Sequence, residues 1–202
     1  MGQTNPKTTT DRKWFTNDRE WKLAKQAASN CNKTFAAEIA KVKKEQKGLS
    51  AEKITSWLKC SPNFIGCFAE DELKNLTVSS FPSFLIVNID STKLPGSHWI
   101  AIGIFTDKIE IFDALGFDLF NWSRVPCDLF NFLHRLSATR EVVASPRLQS
   151  QTSNLCGFYA IYYVIIRKFI SFEKSFSCFY VDVDRKLARN DRVLSNFFQH
   201  DD

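Results

Sequence analysis

The chain has 202 residues, 44% hydrophobic and 14% aromatic with 19 Phe, which suits one domain with a sizeable core. Its formal charge of +5 is uneven: residues 1–53 hold 12 Lys+Arg against 6 Asp+Glu, leaving 15 of the 27 Lys+Arg against 16 of the 22 Asp+Glu for residues 54–202. A basic N-terminal segment suits an arm drawn to a polyanion such as DNA, and equally a solvated helix face. No apolar run reaches membrane-spanning length, the N-terminus lacks a signal-peptide core, and Pro6 spoils a myristoylation motif after Met1-Gly2. No membrane partner is expected, and the setting is expected to be intracellular. The six cysteines are Cys31, Cys60, Cys67, Cys127, Cys156 and Cys178. None forms a C-x-x-C pair and only three histidines accompany them, so reduced thiols and no metal are expected.

Residues 1–12 read as disordered. From Trp14 to about Lys47 the composition is helical, with Gly48 as the expected C-cap. Ser50 caps a short helix over 51–59 whose Ile54, Trp57 and Leu58 share a face. Residues 60–70 read as a loop broken by Pro62 and Gly66. Strands follow at 84–89 (FLIVNI), 99–105 (WIAIGIF) and 109–112 (IEIF), the last two joined by a short turn. Strands this continuously apolar imply a sheet covered on both faces. Asp128 is expected to cap a helix running to about Ala138, residues 141–148 contain a further strand, and 184–199 read as one final amphipathic helix. Strands flanked by helices without regular alternation read as an α+β fold.

The stretch 149–166, QSQTSNLCGFYAIYYVII, puts Cys156 behind a polar run and ahead of a wholly apolar block. With Asn154 as N-cap, Cys156 falls in the first turn of a buried helix, although periodicity alone leaves a strand open for 162–166. Unpaired N–H groups and the macrodipole at a helix N-terminus favour negative charge, hence the nucleophilic thiolate and a developing oxyanion. Gly157 would let a substrate backbone approach the thiol.

A thiol nucleophile needs a base, and the base needs an orienting partner. His98 stands at the entry to one strand and Asp113 at the end of the next, so an antiparallel hairpin makes them neighbours. Gln149 can supply an amide N–H to the oxyanion that the Cys156 N–H would contact. His134 falls on the outer face of its helix and His200 close to the C-terminal Asp202. Taken singly these residues also read as a core cysteine, a surface histidine, a turn aspartate and a loop glutamine. Their order, each at the end of an element, is what points to a thiol-based acyl transfer.

In HWIAI at His98, IFDALGF around Asp113 and LQSQTSNLCGFYAIYY over 148–163, the chain resembles the adenain-type cysteine proteases. These are the maturation proteases of adenoviruses, with relatives in Maverick/Polinton-type elements. LKCSPNFIG at 58–66 and RNDRVLSNFFQH at 189–200 extend the likeness over 54–202, which marks off 1–53 as a basic, largely helical extension with no counterpart. The resemblance implies a rearranged papain-like fold, a mixed sheet packed on a buried helix that carries the nucleophile. It implies Cys156 as nucleophile, His98 as general base, Asp113 as its orienting partner where adenoviruses commonly have Glu, Gln149 in the oxyanion hole, and Trp99 packed beside the histidine. It further implies an endopeptidase that cleaves viral capsid and core precursors after small residues or glycine, in the virion and in the host nucleus or cytoplasm. No cofactor is required for the chemistry, though family members are stimulated by DNA and a basic viral peptide, and a monomer is expected. Ubiquitin-like-protein proteases share this fold and residue order, and a non-catalytic nucleic-acid-binding module is a reading from another class.

Overall fold

A computed structural model of the chain describes residues 19–31, 34–116 and 125–199. The fold is α+β, built on a five-stranded mixed sheet in the order β1-β2-β3-β4-β5, with β1 Phe64–Ala69, β2 Ser83–Asn88, β3 Trp99–Ile104, β4 Lys108–Phe112 and β5 Glu141–Ala144. The three central strands are antiparallel, and the edge strands β1 and β5 run parallel to β2 and β4.

Every residue of β2 and β3 is buried, and their side chains alternate between two separate cores. Phe84, Ile86, Trp99, Ala101 and Phe112 face helix α5, Cys156–Ile166, all of whose residues are buried. Leu85, Val87, Ile100, Ile102, Ile109 and Ile111 face the opposite way, against Leu129, Phe132 and Leu133 of helix α4, Cys127–Ser137. Both faces are therefore covered, as the apolar strands require. Gly103 leaves the opening on β3 into which the Tyr163 hydroxyl of α5 fits; a Cβ there would collide with it.

The helical N-terminal stretch is two helices, α1 Arg19–Cys31 and α2 Phe35–Glu45, and Trp14 with residues 1–12 lies outside the described residues. Trp21, Ala24, Ala28, Phe35, Ile39 and Val42 join the same core as α5, with Trp21 edge-on to Phe197 at 5.0 Å and Phe35 edge-on to Trp57 at 4.9 Å. Gln46 in the left-handed region (φ 53), rather than Gly48, closes α2. Its side chain spans the break, donating to the Lys43 carbonyl at 2.7 Å and accepting from Asn154 at 2.9 Å. Ser50 does cap helix α3, Ala51–Leu58, through the Lys53 N–H.

Three further expectations are corrected. The loop expected over 60–70 contains β1: Gly66 (φ 146) breaks the local pattern but is absorbed by a register shift in an edge strand paired on one side only. Asp128 does not cap α4; Pro126 precedes the helix without a side-chain cap, and the Asp128 N–H donates to Glu70 at 3.2 Å. The single helix expected over 184–199 is two, α7 Asp184–Leu187 and α8 Asn190–Phe198, because buried Asn190 turns away to bond neighbouring loops (α6 is a single turn, Phe172–Ser175). Among the described residues no helix is long and apolar enough to cross a membrane.

Candidate active site

The β3–β4 pairing, Ala101 opposite Phe112, brings the residue before β3 beside the residue after β4. His98 Nε2 meets Asp113 Oδ1 at 2.6 Å, and both side chains are almost wholly buried. The carboxylate is held in turn: Oδ1 also accepts the Leu115 N–H at 2.9 Å. Ser145 accepts the Asp113 N–H at 2.9 Å and donates to its carbonyl at 3.1 Å. The His98 carbonyl accepts from the Ile89 N–H at 3.1 Å, fixing the ring's backbone to the sheet.

With Nε2 committed to Asp113, Nδ1 is the nitrogen left for Cys156. It is buried and makes no hydrogen bond of ordinary geometry. The Cys156 sulfur is nonetheless close enough to act on the ring. Burial works against a charge on His98. The Asp113 hydrogen bond and then the sulfur overcome it, raising the ring's pKa from 6.5 to about 9. A tautomer with its proton on Nε2 leaves the Nδ1 lone pair free to take the thiol proton, giving an imidazolium beside a thiolate.

Cys156 is the first residue of α5, in the first turn as the sequence implies, but the preceding residue is Leu155 and no side chain caps the helix. Asn154 instead reaches Gln46 across the cleft. The unbonded N–H groups of this turn therefore remain available at the thiol. Gly157 is closely packed by the protein's own side chains. A Cβ there would lie 3.2 Å from Leu49 Cδ1 and 3.3 Å from Trp99 Cδ1, so the close neighbours it admits are the protein's own side chains. The Trp99 indole N–H donates to the Leu49 carbonyl at 2.9 Å.

Gln149 is buried in the same cleft, its backbone N–H on the Ala114 carbonyl at 2.7 Å. Its Nε2 donates to the Ser153 carbonyl at 2.6 Å while Oε1 has no partner. One of the two amide hydrogens is thus spent on anchoring the group, and the second can donate to another acceptor. The loop carrying Gln149 is moored to α8. Asn190 donates to the Leu148 and Tyr180 carbonyls, both at 2.7 Å, and Asp191 accepts from Ser153 at 3.1 Å and Tyr159 at 3.2 Å.

His98, Cys156 and Gln149 line one open cleft of about 880 Å³, together with residues 46–52, 90–92 and 94–97. His134 is exposed and stacked on Phe130, away from it, and His200 lies outside the described residues. Leu49, Ser145, Gln46 and Asn190 were not singled out in the sequence. Only Asn190, an amide among the apolar positions of an amphipathic helix, carries a visible signal there.

No family model matches the chain, and no curated protein sequence matches it. Among solved structures it is similar to the C-terminal Ulp1 protease domain, determined in complex with Smt3, the yeast ortholog of SUMO. The identity is 13% and the TM-score 0.39, over 90% of this chain and 95% of that one. The chemistry of the site rests on its own side chains.

Proposed function

We propose that the chain is a cysteine endopeptidase. The observation that carries this reading is the buried His98–Asp113 pair at 2.6 Å, whose unbonded Nδ1 shares a cleft with a cysteine at a helix N-terminus. Nδ1 takes the Cys156 proton, and the thiolate attacks a peptide carbonyl, forming the C–S bond and moving the π electrons onto oxygen. The Cys156 N–H and the Gln149 amide stabilise that oxygen. Collapse breaks the C–N bond as the imidazolium gives its proton to the leaving amine. Water, deprotonated by neutral His98, then cleaves the thioester and releases the acid.

The resemblance to adenain-type enzymes supports substrates with glycine or another small residue before the scissile bond, and virion precursor proteins as the natural targets. The test compares wild type with Cys156→Ala and His98→Ala on peptides of that kind and on ubiquitin and SUMO conjugates. Hydrolysis of the peptides, lost in both variants, is the expected result. Conjugates cleaved far faster than peptides would transfer the substrate to ubiquitin-like proteins. Reaction of Cys156 with iodoacetamide no faster than that of exposed Cys60 or Cys127 would overturn the nucleophile assignment altogether.

A further inference from the structure

The connector between α2 and α3, residues 46–50, touches both halves of the His98–Cys156 pair through their sequence neighbours. Its Leu49 carbonyl accepts the indole N–H of Trp99, which follows His98, at 2.9 Å. The Leu49 side chain lies against Gly157, which follows Cys156; a Cβ on that glycine would meet Leu49 at 3.2 Å and 3.3 Å. From the outer side Gln46 accepts from Asn154, just ahead of Cys156, at 2.9 Å. Both ends of the connector are fixed. α2 is docked by Phe35, Ile39 and Val42 and reaches α8 through Lys43 on Ser195 at 3.1 Å, while Ser50 caps α3.

His98 is carried by the end of a sheet and Cys156 by the end of a helix. Helix and sheet are joined by side-chain packing and, toward the helix's C-terminal end, by the Tyr163 hydroxyl on Glu110 at 2.8 Å. A small displacement of the helix's N-terminal end against β3 therefore changes how the ring nitrogen meets the sulfur. Misplacement of about 1 Å at a reacting centre costs up to about 100-fold in rate. Leu49 on Gly157 and Gln46 on Asn154 hold the chain just after and just before Cys156 against that displacement, and residues 46–52 at the same time line the cleft.

We infer that residues 46–50 are a positioning element for the His98–Cys156 pair, with Leu49 and Gln46 setting the approach of base to nucleophile. The inference rests on the thiol-protease reading. It makes the N-terminal segment part of the machinery, acting through Trp99, Gly157 and Asn154 without touching the reacting atoms. Apart from the Lys43 tether to α8, the lysines of α2 have no share in this role; the connector's own contacts are one carbonyl, one aliphatic side chain and one amide.

The test reads the rate of Cys156 alkylation by iodoacetamide against pH in the full chain, located by mass spectrometry, with thermal melts alongside. A merely structural defect lowers the melting temperature without moving the pH at which folded protein becomes reactive. In wild type, reactivity extends to acid pH and His98→Ala removes that acidic reactivity. Gln46→Met and Asn154→Ala are each expected to slow alkylation at pH 6 about five- to tenfold, the equivalent of one neutral hydrogen bond. Both should shift the acidic limb upward, and the double variant should fall no further than either single one. Leu49→Ala should slow it by up to about 100-fold. Unchanged rates and limbs in Gln46→Met and Leu49→Ala, with His98→Ala still abolishing acidic reactivity, would make the connector a passive wall and leave the protease reading standing. Wild type without a His98-dependent limb would sink that reading itself, and this inference with it. Should Leu49→Ala not fold, the Gln46–Asn154 cycle decides alone.

Discussion

Asp113→Asn keeps the outline of the side chain and removes its charge. In wild type, burial opposes a charged His98, yet the Asp113 hydrogen bond and then the Cys156 sulfur raise the ring's pKa from 6.5 to about 9. A shift of that size corresponds to about 3 kcal/mol favouring the folded protein with its ring charged. Because the folded value lies above the unfolded one, this stabilisation is complete below pH 6.5 and is lost as the pH climbs through about 9. In the variant, burial is opposed by the sulfur alone, so the ring titrates lower and its share of the pH-dependent stability shrinks or disappears. Urea unfolding at pH 6 should then show a deficit of about 2–3 kcal/mol for the variant, falling below about 1 kcal/mol above pH 9. NMR titration of the His98 ring should show its midpoint moving down. Equal deficits at both pH values, or a wild-type ring titrating near 6.5, would refute the argument that the carboxylate holds the charge.

Other changes separate the site from its supports. Asn190→Ala removes bonds to the Leu148 carbonyl and to both the N–H and carbonyl of Tyr180. A loss of about 2–4 kcal/mol in denaturant unfolding is expected, with slower Cys156 alkylation because the Gln149 loop is freed. Arg167→Ala deprives Glu110, fully buried under the sheet, of a two-point ion pair at 2.6 Å and 2.9 Å. Lys108 at 2.9 Å and the Tyr163 hydroxyl at 2.8 Å stay on the carboxylate, so the expected cost is about 2 kcal/mol with the pH profile of alkylation unchanged, since this network stands apart from the cleft. Gly103→Ala should destabilise by about 1–3 kcal/mol, measured by the same unfolding curves, as the Tyr163 hydroxyl is pushed out of its recess.

The features legible in the sequence are those governed by burial pattern and chain direction. FLIVN and WIAIGI read as strands buried on both sides, and an antiparallel hairpin between 99 and 112 makes His98 and Asp113 neighbours, as the structure has them. The uniform apolarity of 156–166 likewise marks a wholly buried element headed by Cys156, although it leaves helix and strand open over 162–166; the structure makes it a helix throughout. Features that depend on a tertiary partner escaped. Asn154, Asp128 and Gly48 satisfy local capping rules, yet Asn154 bonds Gln46, the Asp128 N–H finds Glu70, and Gln46 takes the left-handed turn because its side chain has partners on both sides. The edge strand β1 hides behind Pro62 and Gly66, residues that break a central strand but not a bulged edge. The packing of Leu49 against Gly157 also escaped, because Leu49 is remote in sequence.

The sheet ends on poor edges. β1 carries its register shift at Gly66 and β5 has four residues, so neither offers a long flat row of backbone groups to another chain. The segments best suited to strand-to-strand stacking are β2 and β3, six uncharged residues each, at least half of them β-branched or aromatic, sealed in the interior. The folded molecule thus keeps its stickiest sequence out of reach of its neighbours. Heat or acid that opens the sheet exposes both segments at once, so thermal unfolding at high protein concentration should end in aggregation, and its apparent midpoint should depend on scan rate.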